Sequence, residues 1–286
     1  LHSGAEPGIY MQPNIALIHR AQNMDYEVKL GALGQTLSRA ESYVRVLGNS
    51  NGYEKTHWAA LVGMDSLGRI WEGTLDGRFV LSDPSYPHGL RTDYLLLAQH
   101  ALQARDKLVI VDLGDPYRFD SYKEYLLPRQ KEETRLQMVR EAQQFVRILA
   151  RDKPQTTVVL VVSPHPGKNL AEQGYWLAPV ICIGLSEGLL ISGTTRWPGL
   201  ITNMDVTPTI LDVLKIENDT LVGRPATIEF YTEATSLLQS MVEKIEVLFR
   251  YRSPILRAVV ISQILIYTLV LASLIVSFAL PSWVRR

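Results

Sequence analysis

Hydrophobic positions along this chain fall into short unbroken runs, separated by stretches with helical spacing. Residues 43–47 (YVRVL), 107–111 (KLVIV), 156–162 (TTVVLVV) and 179–183 (PVICI) read as strands, each followed by a polar loop. Short strands without strict alternation belong in a sheet covered on both faces, so these four are expected as neighbours in one mainly parallel sheet. Between them the spacing predicts helices over 32–42, 92–104 and 132–150. In the last, Leu136, Val139, Phe145, Ile148 and Leu149 are the apolar positions. Residues 59–64 form a further apolar run, closed by a turn over 65–68. Asp205 is placed to cap a helix through 207–214, with Pro208 in its first turn. A final amphipathic helix covers 232–249, and Ser253 and Pro254 should break it. Strands alternating with helices give the fold class: α/β, a three-layer α/β/α arrangement with a mainly parallel sheet.

The last part of the chain has a different pattern. Residues 258–280 carry no charge. At about 1.5 Å per residue they extend roughly 34 Å as a helix, enough for a hydrocarbon core of about 30 Å. Arg250, Arg252 and Arg257 precede this stretch; Trp283, Arg285 and Arg286 follow it. Arginines on both flanks leave the positive-inside rule silent on orientation. The expected organisation is an α/β domain over 1–231, an amphipathic juxtamembrane helix over 232–257 and a transmembrane helix over 258–280, with the lipid bilayer as a partner. The chain opens on Leu1 and closes soon after Trp283, which reads as an excerpt of a longer protein with room for further spans at either end.

Composition narrows the function. Lys and Arg total 29, as do Asp and Glu, so the net charge is zero and a general nucleic-acid binder is excluded. With 47% hydrophobic and 20% charged residues, the chain is neither disordered nor fibrous. The one cysteine, Cys182, excludes an intrachain disulfide and a multi-cysteine zinc site; mid-strand, it reads as a small buried hydrophobe.

Ligands of open parallel sheets bind outside the carboxyl ends of the strands. Asp112, Asp115 and Asp120 follow the strand at 107–111; Ser163, His165 and Lys168 follow the one at 156–162; Asn49, Ser50 and Asn51 follow the one at 43–47. Asp112, Asp115 and His165 are therefore candidate ligands for one divalent metal: zinc, manganese or calcium. The same residues also suit plain structural roles, the aspartates capping loops and His165 filling a proline-rich turn. His57, His88 and His100 have no close acidic or histidine partner in sequence, His19 lies in a polar helix-like stretch, and all four read as surface or packing residues. No phosphate-binding glycine loop, nucleophile elbow or zinc-protease motif is present.

Three segments, in order, resemble the alkaline phosphatase superfamily, which includes sulfatases, phosphoglycerol transferases and cofactor-independent phosphoglycerate mutases. They are LAPVICIG from Leu177, GLLI from Gly188 and GLITNMDVTPTILDVLKI from Gly199. They follow the superfamily's "VPxIIxG" strand and later "DxxPTILxLLGI". GALGQTLSRA from Gly31, then a strand, then Gly48 and Asn49, is similar to its early helix and strand. The resemblance covers residues 31–216. It implies metal-dependent hydrolysis or transfer of phosphate or sulfate esters. It points to a branch joined to membrane helices in the bacterial envelope, with the globular domain extracytoplasmic and an envelope lipid or polymer as substrate.

The departures imply something else. The superfamily's Asp-His-Gly falls on Pro164, His165 and Pro166, so only the histidine remains. Its Asp-x-x-x-His pair falls on Asp115 and Phe119, without the second histidine. Ser3, in a glycine-rich start, makes a poor counterpart of the nucleophile, which is expected upstream of Leu1. These losses imply an alternative: a degenerate, non-catalytic binding or scaffolding domain of a multi-span membrane protein. A third expectation is a soluble domain of a transporter-like protein.

Overall fold

The computed structural model describes residues 9–10, 29–217 and 221–279. Ser3, His19 and the segment from Leu280 onward, including Trp283, lie outside them. In chain order the elements are β1 (Ile9–Tyr10), α1 (Ala32–Arg39), β2 (Val44–Gly48), α2 (Trp58–Gly63), β3 (Arg69–Ile70), β4 (Glu72–Thr74), β5 (Val80–Ser82), β6 (Leu90–Thr92), α3 (Tyr94–Gln103) and β7 (Leu108–Asp112). They continue with α4 (Asp115–Tyr122), α5 (Pro128–Asp152), β8 (Val159–Val162), α6 (Lys168–Glu172), β9 (Val180–Ile183), β10 (Leu189–Ser192), α7 (Asn203–Val213), β11 (Ala226–Glu229) and α8 (Ala234–Ala279). The chain divides into two compact units: Leu1–Val162 with Pro179–Phe230, and Ser163–Ala178 with Tyr231–Arg286.

In the first unit β2 lies between β4 and β7, parallel to both, in a three-stranded sheet. Successive side chains of a strand point to opposite faces, and both faces of this sheet are covered. Val44 and Val46 of β2, with Leu108 and Ile110 of β7, pack against Leu33 and Leu37 of α1, Ala60 of α2 and Leu211 of α7. Leu47, Val109 and Val111 turn the other way, against Tyr94, Leu97 and Ala98 of α3 and Phe145 and Leu149 of α5. These are the three expected layers, with the core on both sides of β2.

Several elements differ from the sequence reading, each for a physical reason. The run at 59–64 belongs to helix α2, and Gly63 lets it approach the sheet: a Cβ there would come within 2.9 Å of Val46. Helix α5 starts a turn earlier than expected because Pro128 occupies its first turn, where no amide donor is needed. Its buried stripe is Met138, Phe145 and Leu149, at spacings of seven and four, whereas Leu136 and Val139 are exposed.

The largest difference concerns the sheet. β8 and β9 do not join β2 and β7 but pair antiparallel with each other, Val159 opposite Ile183 through Val162 opposite Val180. A parallel return needs a crossover, usually a helix packed on the sheet. The only helix between β8 and β9 is α6, five residues long with none buried, and it belongs to the second unit. Nothing carries the chain back across a sheet face, so it reverses instead.

In the second unit α8 runs unbroken through Pro254 for 46 residues, contrary to the expected break. The proline forfeits one hydrogen bond, to the carbonyl of Arg250, and the flanking turns keep theirs. The expected juxtamembrane and transmembrane helices are thus one element. Its apolar part is long enough to cross a membrane, and none of it is buried within the protein.

Candidate functional site

The carboxyl ends of β2 and β7 lie side by side in the first unit, Gly48 in register with Asp112. Gly48 has φ +86°, and a Cβ there would stand 2.3 Å from the Asp112 carbonyl, so only glycine allows this approach. The loop after β2 is fixed by its own side chains. Asn49, buried, donates from Nδ2 to the carbonyls of Leu75 (3.1 Å) and Asp76 (2.7 Å), while its Oδ1 accepts from the Asn51 amide. Ser50 Oγ donates to Asp112 Oδ1 at 2.6 Å, and the Gly114 amide donates to the same oxygen at 3.0 Å. Asp112 Oδ2 is buried without a hydrogen-bond partner.

His57, at the start of α2, presents a second such atom: its Nδ1 is buried and unpartnered. Burial lowers the imidazole pKa, while the Asp112 carboxylate pulls the other way. The sequence reading left His57 among the packing residues. Its only signal there was its place seven residues beyond Ser50, in the loop after a strand end.

Asp115, the first residue of α4, is committed elsewhere. Its Oδ1 accepts from Arg118 Nη2 at 2.8 Å and from the Thr92 amide at 3.0 Å. Burial raises its pKa, and Arg118 opposes that rise. The Arg118 side chain is 1% exposed and saturates its donors. Nη1 reaches the carbonyls of Asn49 (3.1 Å) and Asn51 (3.2 Å), and Nη2 also reaches Thr92 Oγ1 at 2.6 Å. One guanidinium thus ties the β2 loop, the end of β6 and α4 together. The sequence signal for it was an Asp–Arg pair at i, i+3, which the metal reading passed over.

His165 lies in the second unit, exposed, with Nδ1 2.9 Å from the Pro166 carbonyl; its own carbonyl accepts from Ser163 Oγ. Among the described residues no group of three or more His, Cys, Asp or Glu side chains is arranged to hold a metal. The residues at the β2–β7 edge do not fit a metal centre. Asp115 already has a buried cation as its partner, and Asp112 gives one oxygen to Ser50 and Gly114. Asp120, the third aspartate of this stretch and a residue of α4, forms an ion pair with Lys123. Cys182 is half-buried, and burial pushes its thiol pKa up, as for an inert side chain.

The most specific segment of the resemblance has a structural role. Asp205 is fully buried in the first turn of α7 and accepts from Ser192 Oγ, Thr194 Oγ1, Thr202 Oγ1 and the amides of Thr202 and Arg224. Burial opposes ionisation, yet these donors outweigh it and hold the pKa down to about 2. Thr202 and Asp205 form a capping box, so α7 begins at Asn203 and Pro208 falls in its second turn rather than its first.

Compared with family models, curated proteins and solved structures, the chain matches none.

Proposed function

We propose that this chain is a membrane-anchored α/β domain related to the alkaline phosphatase superfamily, and that it serves the cell envelope as a binding or scaffolding module rather than as a metal-dependent esterase. The observation that carries this reading is the Arg118–Asp115 pair. A divalent ion needs free carboxylate oxygens, and a buried guanidinium has claimed Oδ1 of Asp115, tying that carboxylate into the fold. Helix α8 supplies the anchor: its uncharged stretch has the length to cross a hydrocarbon core, and its surface is unpartnered within the chain.

One observation favours the rival reading, a phosphate- or sulfate-ester hydrolase or transferase. Asp112 Oδ2 and His57 Nδ1 are buried polar atoms without partners, and such atoms cluster at functional sites. A single experiment separates the two. The intact chain, purified in detergent, is analysed for bound metal and screened against phosphodiesters and sulfate esters. The binding-module reading expects neither stoichiometric metal nor turnover. Stoichiometric metal with turnover abolished by Asp112→Asn would overturn it.

A further inference from the structure

Between Ala258 and Val276, helix α8 carries five polar side chains, and they are not alike. Ser262 Oγ donates to the Val259 carbonyl at 2.7 Å, Thr268 Oγ1 to the Ile264 carbonyl at 2.7 Å and Ser273 Oγ to the Val270 carbonyl at 2.8 Å. Each of these hydroxyls is satisfied by the turn before it. Gln263 and Tyr267 are exposed and form no hydrogen bond among the described residues. Nearer the start of the helix, Gln239 shows what such an amide does when the residue four positions on accepts: its Nε2 reaches Glu243 Oε1 at 3.3 Å. Gln263 has Tyr267 in that place, and the two do not bond.

Depth makes these two side chains costly. Residue 269 is the middle of the uncharged stretch, so at about 1.5 Å per residue Gln263 lies about 9 Å and Tyr267 about 3 Å from the midplane. Both are inside a hydrocarbon half-thickness of about 15 Å, where the two N–H donors and the carbonyl of an amide find no water. Residues four apart share one face of a helix, and Leu256 and Val270, seven positions either side of Gln263, lie on the same face. Arg257, the charge nearest the stretch, is about 120° round the helix from it. Nearer the start of α8 this face is covered by the chain itself, at Met241 and Ile245, whereas nothing of the chain covers it within the span. Ile245 is about 27 Å along the axis from Gln263, so helices that cross at Gln263 have diverged before they reach it. The chemistry of the amide says what fits there. Copies of one chain insert in one sense, so a second copy brings its own Gln263 to the same depth. A primary amide both donates and accepts, and two of them related by a two-fold axis along the membrane normal make reciprocal hydrogen bonds. The Tyr267 side chain leans toward the helix N-terminus, which sets its hydroxyl beside that pair.

We propose that the Gln263–Tyr267 face of α8 is a self-association surface, through which two copies of the chain pair in parallel inside the bilayer by reciprocal Gln263 amide hydrogen bonds. The proposal rests on the reading of α8 as a membrane span. It gives the binding module two copies of its α/β domain on one side of the membrane.

The test places the intact chain in phosphatidylcholine vesicles over a range of protein-to-lipid ratios. Cys182→Ser removes the one native thiol, and a new thiol enters by Val270→Cys on the proposed face or by Leu265→Cys on the opposite one. A membrane-permeant oxidant then joins close pairs as disulfides, read as dimer on a denaturing gel. Val270→Cys should cross-link at ratios where Leu265→Cys does not. Gln263→Leu, added to Val270→Cys, should raise the ratio needed for half-maximal cross-linking about 3- to 30-fold, the range for an interhelical hydrogen bond in a membrane. Gln263→Asn, which keeps the amide, should restore it. Equal cross-linking at positions 265 and 270, an unchanged ratio in Gln263→Leu, or no cross-linking at any ratio, in vesicles from which alkaline carbonate does not extract the chain, overturns the pairing while leaving the span intact. Release of the chain by carbonate overturns the span, and the pairing with it.

Discussion

Replacing Asp205 with asparagine keeps the shape of the side chain and removes its charge. Five donors converge on the native carboxylate, and burial alone would have raised its pKa, yet the net value falls from 3.8 to about 2. At about 1.4 kcal/mol per pKa unit, the folded state gains about 2 kcal/mol from the ionised form. The sign follows from linkage. The folded value lies below the unfolded one, so this stability is complete at neutral pH and declines as pH falls from about 5 through 3.8 toward 2. The substituted side chain would also turn amide hydrogens toward groups that are themselves donors, so Asp205→Asn should cost about 2–4 kcal/mol at pH 7. For a domain of this size that is a drop in Tm of roughly 5–12 °C. Thermal melts of the intact chain in detergent, with Asp205→Asn alongside, should show the charge-dependent part of the gap narrowing to about 1 kcal/mol at pH 2.5. A gap of the same size at pH 7 and pH 2.5, or no loss at pH 7, would refute the argument that the ionised carboxylate organises this corner.

Arg118→Met leaves Asp115 as a buried charge with no cation and should cost about 3–5 kcal/mol, part of it recovered by the double variant Arg118→Met/Asp115→Asn, as denaturant titrations of each would measure. Gly48→Ala should cost about 1–3 kcal/mol in the same titrations, because the new Cβ meets the Asp112 carbonyl at 2.3 Å and the backbone holds a positive φ; an unchanged midpoint would mean that β2 and β7 separate at this edge.

The amino-acid sequence by itself determined the elements whose character depends on local pattern. β7 is apolar at consecutive positions from Leu108 to Val111 and β2 is interrupted only by Arg45, a pattern that calls for cover on both faces, which α1, α2 and α7 provide on one side and α3 and α5 on the other. The uncharged stretch before Leu280 is helical for the same kind of reason, since composition and length suffice. Asp205 was legible as a residue of the helix start, but the cap itself is Thr202, three residues earlier, with Asp205 as its capping-box partner.

Tertiary structure alone decided the rest. β8 and β9 have the same apolar look as β2 and β7, but β9 can run parallel to β8 only if their connection crosses a sheet face, and α6 has no buried side to do so. Pro254 carries a strong local penalty that the turns on either side of it absorb. At the β2–β7 edge, Asp112 and Asp115 looked equivalent in sequence. In the fold, Asp115 accepts from Arg118 and the Thr92 amide, while Asp112 accepts from Ser50, a residue about sixty positions away. What a buried carboxylate does is set by the groups that replace its water, and those groups are brought to it by chain folding rather than by its neighbours in sequence.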